Sequence, residues 1–240
     1  MTAASQPNLK IVYPDSDGQP LSDNTLQFRW IVTIKENLEL MFADRPDVFV
    51  AGDLLWYPVQ GNNAIRQAPD AMVVFGRTKG DRGSYKQWEE TNIAPQVVFE
   101  ILSPGNRLAE MVKKFKFYER YGVQEYYVYD PDNVELTAWF RPSSQFERST
   151  REAEITEPES IEFEGIDNPL DWISPLLGIR FVIGEEELEI YRPDGQKFLT
   201  FLDLSQRAES ERQRADSECQ RADSAEALLE RYRSQFGELP

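Results

Sequence analysis

Asp70 and Glu100 each sit inside a short apolar run, Pro69-Asp70-Ala71-Met72-Val73-Val74-Phe75 and Gln96-Val97-Val98-Phe99-Glu100-Ile101-Leu102-Ser103-Pro104. Both runs read as strands. A carboxylate inside such a run is costly to bury unless something pairs with it. Two on neighbouring strands also raise each other's pKa unless a cation neutralises them. A shared divalent ion would do that, and it would lower the pKa of a bound water and offset charge on a phosphate. Lys114 is the third residue of interest. It lies on a helix predicted over 107–121 with an apolar stripe of Leu108, Met111, Val112, Phe115 and Tyr118. At 100° per residue its ammonium falls roughly 90° from the centre of that stripe, where it could lean toward the two acids. Plainer roles exist for all three. Asp70 could cap a turn after Pro69, Glu100 could be a core carboxylate paired with Arg77 or Lys114, and Lys114 has Glu110 four residues before it.

Composition narrows the chemistry. The 240 residues include no histidine and one cysteine, Cys219. A Ser-His-Asp triad, a Cys-His dyad, histidine acid–base catalysis, structural zinc and an intrachain disulfide are therefore excluded. What remains is carboxylate, lysine or tyrosine chemistry, or a hard cation such as Mg²⁺ or Mn²⁺ held by oxygens. The formal net charge of −16 argues against broad attraction to nucleic acid. The charge is uneven, however. Asp130 to Pro175 holds 12 acids and 3 arginines, whereas Arg107 to Tyr121 holds 5 bases and 2 acids, so a basic element adjoins the suspected site. No apolar run is long enough for a membrane helix, and the polar start does not resemble a signal peptide. With one cysteine, the cytoplasm is the expected compartment.

The elements that must position these residues follow from periodicity. Residues 1–24 form a polar lead. Asp23 or Asn24 is placed to cap a helix over Thr25 to Phe42 with Phe28, Ile31, Ile34, Leu38 and Met41 as its apolar face. Pro46 to Tyr57 reads as strand, with a bulge or turn at Gly52-Asp53. Gly76 to Asn92 is a polar connection with a short helix. Gly122 ends the 107–121 helix. Hairpins are expected at 125–141 and 179–192, and the acidic stretch 143–168 is expected to be loop. Residues 25–198 thus make one domain, and 199–240 a separate tail. In that tail Gln-Arg-Ala-(Asp/Glu)-Ser recurs at 206–210, 213–217 and 220–224. A 4-3 seam links Leu204, Ala208, Glu211, Ala215, Glu218, Ala222, Ala225, Leu229, Tyr232 and Phe236, which reads as a long helix, either solvated or in a coiled coil with a partner.

The ordered string Ala-Pro-Asp70, Val-Val-Phe-Glu100-Ile-Leu-Ser-Pro, Glu110-x-x-x-Lys114-x-x-x-Tyr118 and Gly122-Val123-x-Glu125-Tyr126-Tyr127-x-x-Asp130-Pro131 resembles the Uma-type restriction endonucleases, a branch of the PD-(D/E)XK nuclease superfamily. The resemblance spans roughly 25 to 192. It implies an α/β (α+β) restriction-endonuclease-like fold, a mixed β-sheet flanked by helices, here with the long C-terminal helix added. It implies Mg²⁺- or Mn²⁺-dependent hydrolysis of DNA phosphodiesters. Asp70 and Glu100 match the metal-binding acids, the Ile101 carbonyl is a natural further ligand, and Glu36 is the candidate acid from the first helix. The superfamily places lysine two residues after the glutamate, where this chain has Leu102. Lys114 matches the lysine that this branch supplies from the next helix. Glu110 stands where the branch more often has aspartate. Expected partners are DNA and a second protomer, since two-strand cleavage usually needs two sites. Two other readings stay open: a non-catalytic nuclease-fold module that acts through its tail helix, and hydrolysis of another phosphorylated substrate.

Overall fold

The computed structural model describes residues 11–142, 162–170 and 172–237. The chain divides into two compact units, Met1–Phe198 and Leu199–Pro240. The first is built on a six-stranded mixed sheet in the order β1-β3-β5-β6-β7-β8, from β1 (Val48–Ala51), β3 (Ala71–Phe75), β5 (Val97–Ile101), β6 (Glu125–Asp130), β7 (Glu135–Phe140) and β8 (Glu164–Gly165). Only β5 and β6 pair in parallel; the other four pairings are antiparallel. A parallel neighbour needs a crossover, and α2 (Leu108–Tyr121) supplies it between β5 and β6. Two-residue strands β2 (Trp56–Tyr57) and β4 (Tyr85–Lys86) form a parallel pair, and β9 (Arg180–Ile183) and β10 (Leu188–Tyr191) form a hairpin.

Side chains alternate across the sheet, so each face has its own core. Val50, Val73, Phe99 and Tyr127 pack against α1 (Thr25–Met41) and the β9–β10 hairpin. Phe49, Met72, Val98 and Tyr126 pack against α2 and the β2–β4 pair. Every residue of β3 before Phe75 and every residue of β5 is buried, as central strands covered on both faces require.

Helix starts and stops follow local chemistry. Asn24 caps α1, its side-chain oxygen accepting from the Gln27 N–H at 2.8 Å. Gly122 ends α2 at φ +97°, a left-handed conformation that favours glycine. The inward face of α1 differs from the expected one. Phe28 is 45% exposed, whereas Gln27, Trp30 and Asn37 are buried with Ile31, Ile34 and Leu38. The face turns because Gln27 and Asn37 both have hydrogen-bond partners inside.

The span 46–57 is two strands in different sheets rather than one, and the feature expected at Gly52-Asp53 is a turn, with Asp53 at φ +48°. The 76–92 connection contains β4 and a single 3-10 turn at Gln87–Glu89. Both expected hairpins form. The expected loop over 143–168 lies outside the described residues as far as 161, and its last part contains β8.

The second unit is α3 (Phe201–Phe236), 36 residues that rise over ~54 Å at 1.5 Å each. A reciprocal capping box starts it: Asp203 N–H donates to Thr200 Oγ1, and Thr200 N–H donates to the Asp203 carboxylate. Among the described residues no helix is long and apolar enough to cross a membrane.

Candidate functional site

Strand register creates the site. β3 and β5 run antiparallel with Ala71 opposite Phe99. One step further along, the same register sets Asp70 opposite Glu100. Both alternate onto the face covered by α2. The Asp70 Oδ2 accepts the Ile101 N–H at 2.6 Å, an end-of-ladder bond made by a side chain instead of backbone. Glu100 is 2% exposed and both its oxygens are engaged. Oε2 accepts from Lys114 Nζ at 2.7 Å, and Oε1 accepts from the Tyr118 hydroxyl. Lys114 and Tyr118 lie four residues apart on α2, so one helix face delivers both donors. Tyr118 is fully buried among Trp56, Phe117 and Tyr126, whose rings hold its phenol against Glu100.

The covered face of α2 runs through the half-buried Met111, Lys114, Phe115 and Phe117 and the fully buried Tyr118, which rotates it from the expected direction. Leu108 and Val112 are 81% and 44% exposed. Lys114 therefore lies within the packed face rather than beside it, with 14% of its side chain exposed. Glu100 explains this, since an ammonium enters a packed face when a carboxylate receives it. Arg77, the other partner considered for Glu100, instead sits 3.2 Å from Glu90.

Electrostatics separate the roles. Burial, and then the charge of Glu100, push the Asp70 carboxyl well above its usual range, while Lys114 and the Ile101 N–H pull the other way. Burial is also the largest single influence on Lys114 and by itself favours the neutral amine. Glu100, Asp70 and Glu110 together outweigh it and hold the ammonium more firmly than usual. Burial and then Glu100 push the Tyr118 phenol up, so it remains a donor. Lys114 is thus a fixed positive charge, not a base, at neutral pH.

Two further residues reach the site that sequence reasoning did not single out. The first is Gln27 in the opening turn of α1. Its Nε2 donates to the Ile101 carbonyl at 2.8 Å, and its Oε1 accepts the Asp23 N–H at 2.8 Å. Asp23 in turn accepts from the Ser103 hydroxyl. The one available signal was a polar residue beside Trp30 and Ile31 in a face that must be buried. The second is Asp53 in the turn after β1. Its N–H donates to the Pro69 carbonyl at 3.0 Å. Partial burial, then Asp17, and also Glu100 push its carboxyl up, against the pull of Lys114. Gly52 permits this approach: a Cβ there would lie 3.2 Å from the Asp70 carbonyl oxygen.

The structure brings Asp70, Glu100, Ile101 and Lys114 together, but not Glu36. That residue is exposed and pairs with Lys35 at 3.0 Å. Nine residues separate it from Gln27, which is about 180° around the helix at 100° per residue, so both cannot face the sheet. Among the described residues, no three or more His, Cys, Asp or Glu side chains gather as a metal cage. The donors on hand are carboxylate oxygens of Asp70 and Glu100 and the Ile101 carbonyl. This all-oxygen set suits a hard cation that keeps several waters, as Mg²⁺ does. Among the described residues nothing donates to the second Asp70 oxygen, Oδ1, which leaves it for such an ion.

A solved structure described as a putative nuclease belonging to DUF820, from Anabaena variabilis, is similar to this chain at 16% identity and a TM-score of 0.41. The likeness covers 63% of this chain and 72% of that one. No curated protein matches. The family model Uma2, described as "Putative restriction endonuclease", matches residues 16–168. That span contains Gln27, Asp53, Asp70, Glu100, Ile101, Lys114 and Tyr118 and stops short of β9, β10 and α3, and on this match the chain belongs to the Uma2 family.

Proposed function

We propose that this protein is a DNA endonuclease that hydrolyses phosphodiester bonds with a divalent cation, Mg²⁺ or Mn²⁺. The observation that carries the reading is the meeting of Asp70 and Glu100 across the β3–β5 register, with the Lys114 ammonium 2.7 Å from Glu100. When bound, the cation would supply a water of lowered pKa and charge to offset the phosphate. The chain's own residues do the rest. Asp70 and Glu100, both buried, provide negative charge, and Gln27 orients the Ile101 carbonyl through its hydrogen bond. Tyr118 fixes the orientation of Glu100. Lys114 keeps its proton, so it offers positive charge to a phosphate and a donor to a leaving or attacking oxygen. A second copy of the chain would provide the second site that two-strand cleavage needs.

The test is plasmid nicking by the full chain with Mg²⁺ or Mn²⁺. Removing one acid, as Asp70→Ala or Glu100→Ala, should lower the rate at least ~100-fold, with loss of cation binding by calorimetry. A wild type that neither nicks nor binds either cation would overturn the proposal. One observation favours a non-catalytic module instead: both oxygens of Glu100 are already taken, by Lys114 and Tyr118. Metal-dependent nicking abolished in Asp70→Ala would dispose of that second reading.

A further inference from the structure

The seven-residue repeat of α3 plays no part in the chemistry proposed above and lies beyond the family match. A helix by itself has no interior, so a regular 4-3 seam can only add stability against another helix. Leu228 and Leu229 are 68% and 44% exposed. We infer that α3 is an antiparallel dimerisation helix whose partner is α3 of a second copy of this chain, with the twofold axis passing close to Cys219 and Gln220.

The seam itself chooses the direction. In a parallel pair every seam residue meets its own copy, which sets Glu211 on Glu211 and Glu218 on Glu218 in the packed layer. Like charges so placed disfavour association. Running the second copy in reverse about residue 220 removes both clashes. Glu211 then meets Leu229, and Glu218 meets Ala222, so each carboxylate can extend past an alkyl side chain to water. Ala215 meets Ala225 near the axis, where small side chains allow close helix approach. Toward the ends Ala208 meets Tyr232, a small residue against a large one.

Two flanking pairs agree with this register, while Arg221 comes opposite its own copy near the axis and must extend to water. Arg212 comes opposite Glu226 of the second copy, and symmetry repeats the pair. The stem of Arg214 comes against Leu228. Within one helix Arg212 and Glu226 are 14 residues apart, or ~21 Å along the axis, so they cannot pair with each other in the same chain. Any coupling between them must pass between chains.

The test uses the full chain. Sedimentation equilibrium should give twice the 27.8 kDa chain mass. Arg212→Glu and Glu226→Arg should each weaken the dimer about tenfold, and the double reversal should restore it. Both positions are exposed, so the variants keep their fold. A short bis-maleimide should join Cys219 to Cys219, which an antiparallel pair brings to one side and a parallel pair holds on opposite sides. A monomer at the highest soluble concentration overturns the inference. So does a dimer indifferent to either reversal, or one that the double reversal leaves as weak as the single changes.

Discussion

With its ammonium 2.7 Å from Glu100, Lys114 holds its proton against the pull of burial, and the energy of that pairing is tested by breaking it from either side. Lys114→Met leaves a carboxylate that is 2% exposed without its cation. Such a break costs about 3–5 kcal/mol. Adding Glu100→Gln should recover most of the loss, which a double-mutant cycle in urea measures directly. Equal destabilisation in the single and the double variant would mean that Lys114 matters through packing alone. Asp70 should behave in the opposite way. Its carboxyl is raised by burial and by Glu100, so stability falls as pH climbs from the ordinary aspartate value through the folded one. Asp70→Asn keeps an acceptor for the Ile101 N–H and removes that cost. Without divalent cations at pH 7 it should be more stable than wild type by about 1 kcal/mol, or ~2–4 °C in Tm. The advantage should shrink as pH falls and vanish below about 3, where the aspartate is neutral in both the folded and the unfolded chain. A lower Tm for Asp70→Asn at pH 7 would show that the ionised aspartate is favourable in the fold.

Elements are held in place by a few buried polar contacts, and Glu125 at the start of β6 is the clearest. It accepts from Ser174, from the Leu176 N–H at 2.9 Å and from the Tyr127 hydroxyl at 3.0 Å, fastening the segment before β9 to the sheet. Glu125→Ala leaves three donors without an acceptor and should cost about 2–4 kcal/mol by thermal unfolding. Burial raises the Glu125 carboxyl despite those donors. Its contribution is therefore complete below the unfolded glutamate pKa and declines as pH rises through the folded one. Glu125→Gln should gain on wild type as pH rises above ~4.3, a trend visible in paired melting curves. At the α1 end, Gln27→Ala removes the donor to the Ile101 carbonyl and should cost about 1–2 kcal/mol. It should also lower nicking activity more than Glu36→Ala, since Glu36 faces solvent.

At the scale of the whole molecule, charge and chemistry pull against each other. A net charge of −16 repels a polyanion, and the basic residues of α2 oppose it only locally. If DNA is the substrate, screening should help before it hurts: apparent KM for plasmid should fall between about 10 and 50 mM salt, where the Debye length shortens from ~30 Å. A KM that rises steadily from the lowest salt would mean that local phosphate contacts dominate instead.

Much of the fold was legible because it is local. The apolar runs at 71–75 and 97–101, the cap at Asn24 and the stop at Gly122 state themselves within a few residues. Composition alone narrowed the chemistry, since a chain with no histidine and one cysteine is left with oxygen, lysine and tyrosine donors. What the chain order could not give was the identity of the inward polar residues. Periodicity puts Lys114 on the flank of α2, the family resemblance offers Glu36 from α1, and neither points to Gln27. Gln27 finds its partner 74 residues away, at Ile101, and Lys114 is turned inward by Glu100, 14 residues before it. These meetings depend on how β3 registers with β5 and how α1 and α2 lie on opposite faces of the sheet. A slip of one residue would send Asp70 or Glu100 to the other face, and only tertiary packing, which commits each strand to a single register, decides that they meet.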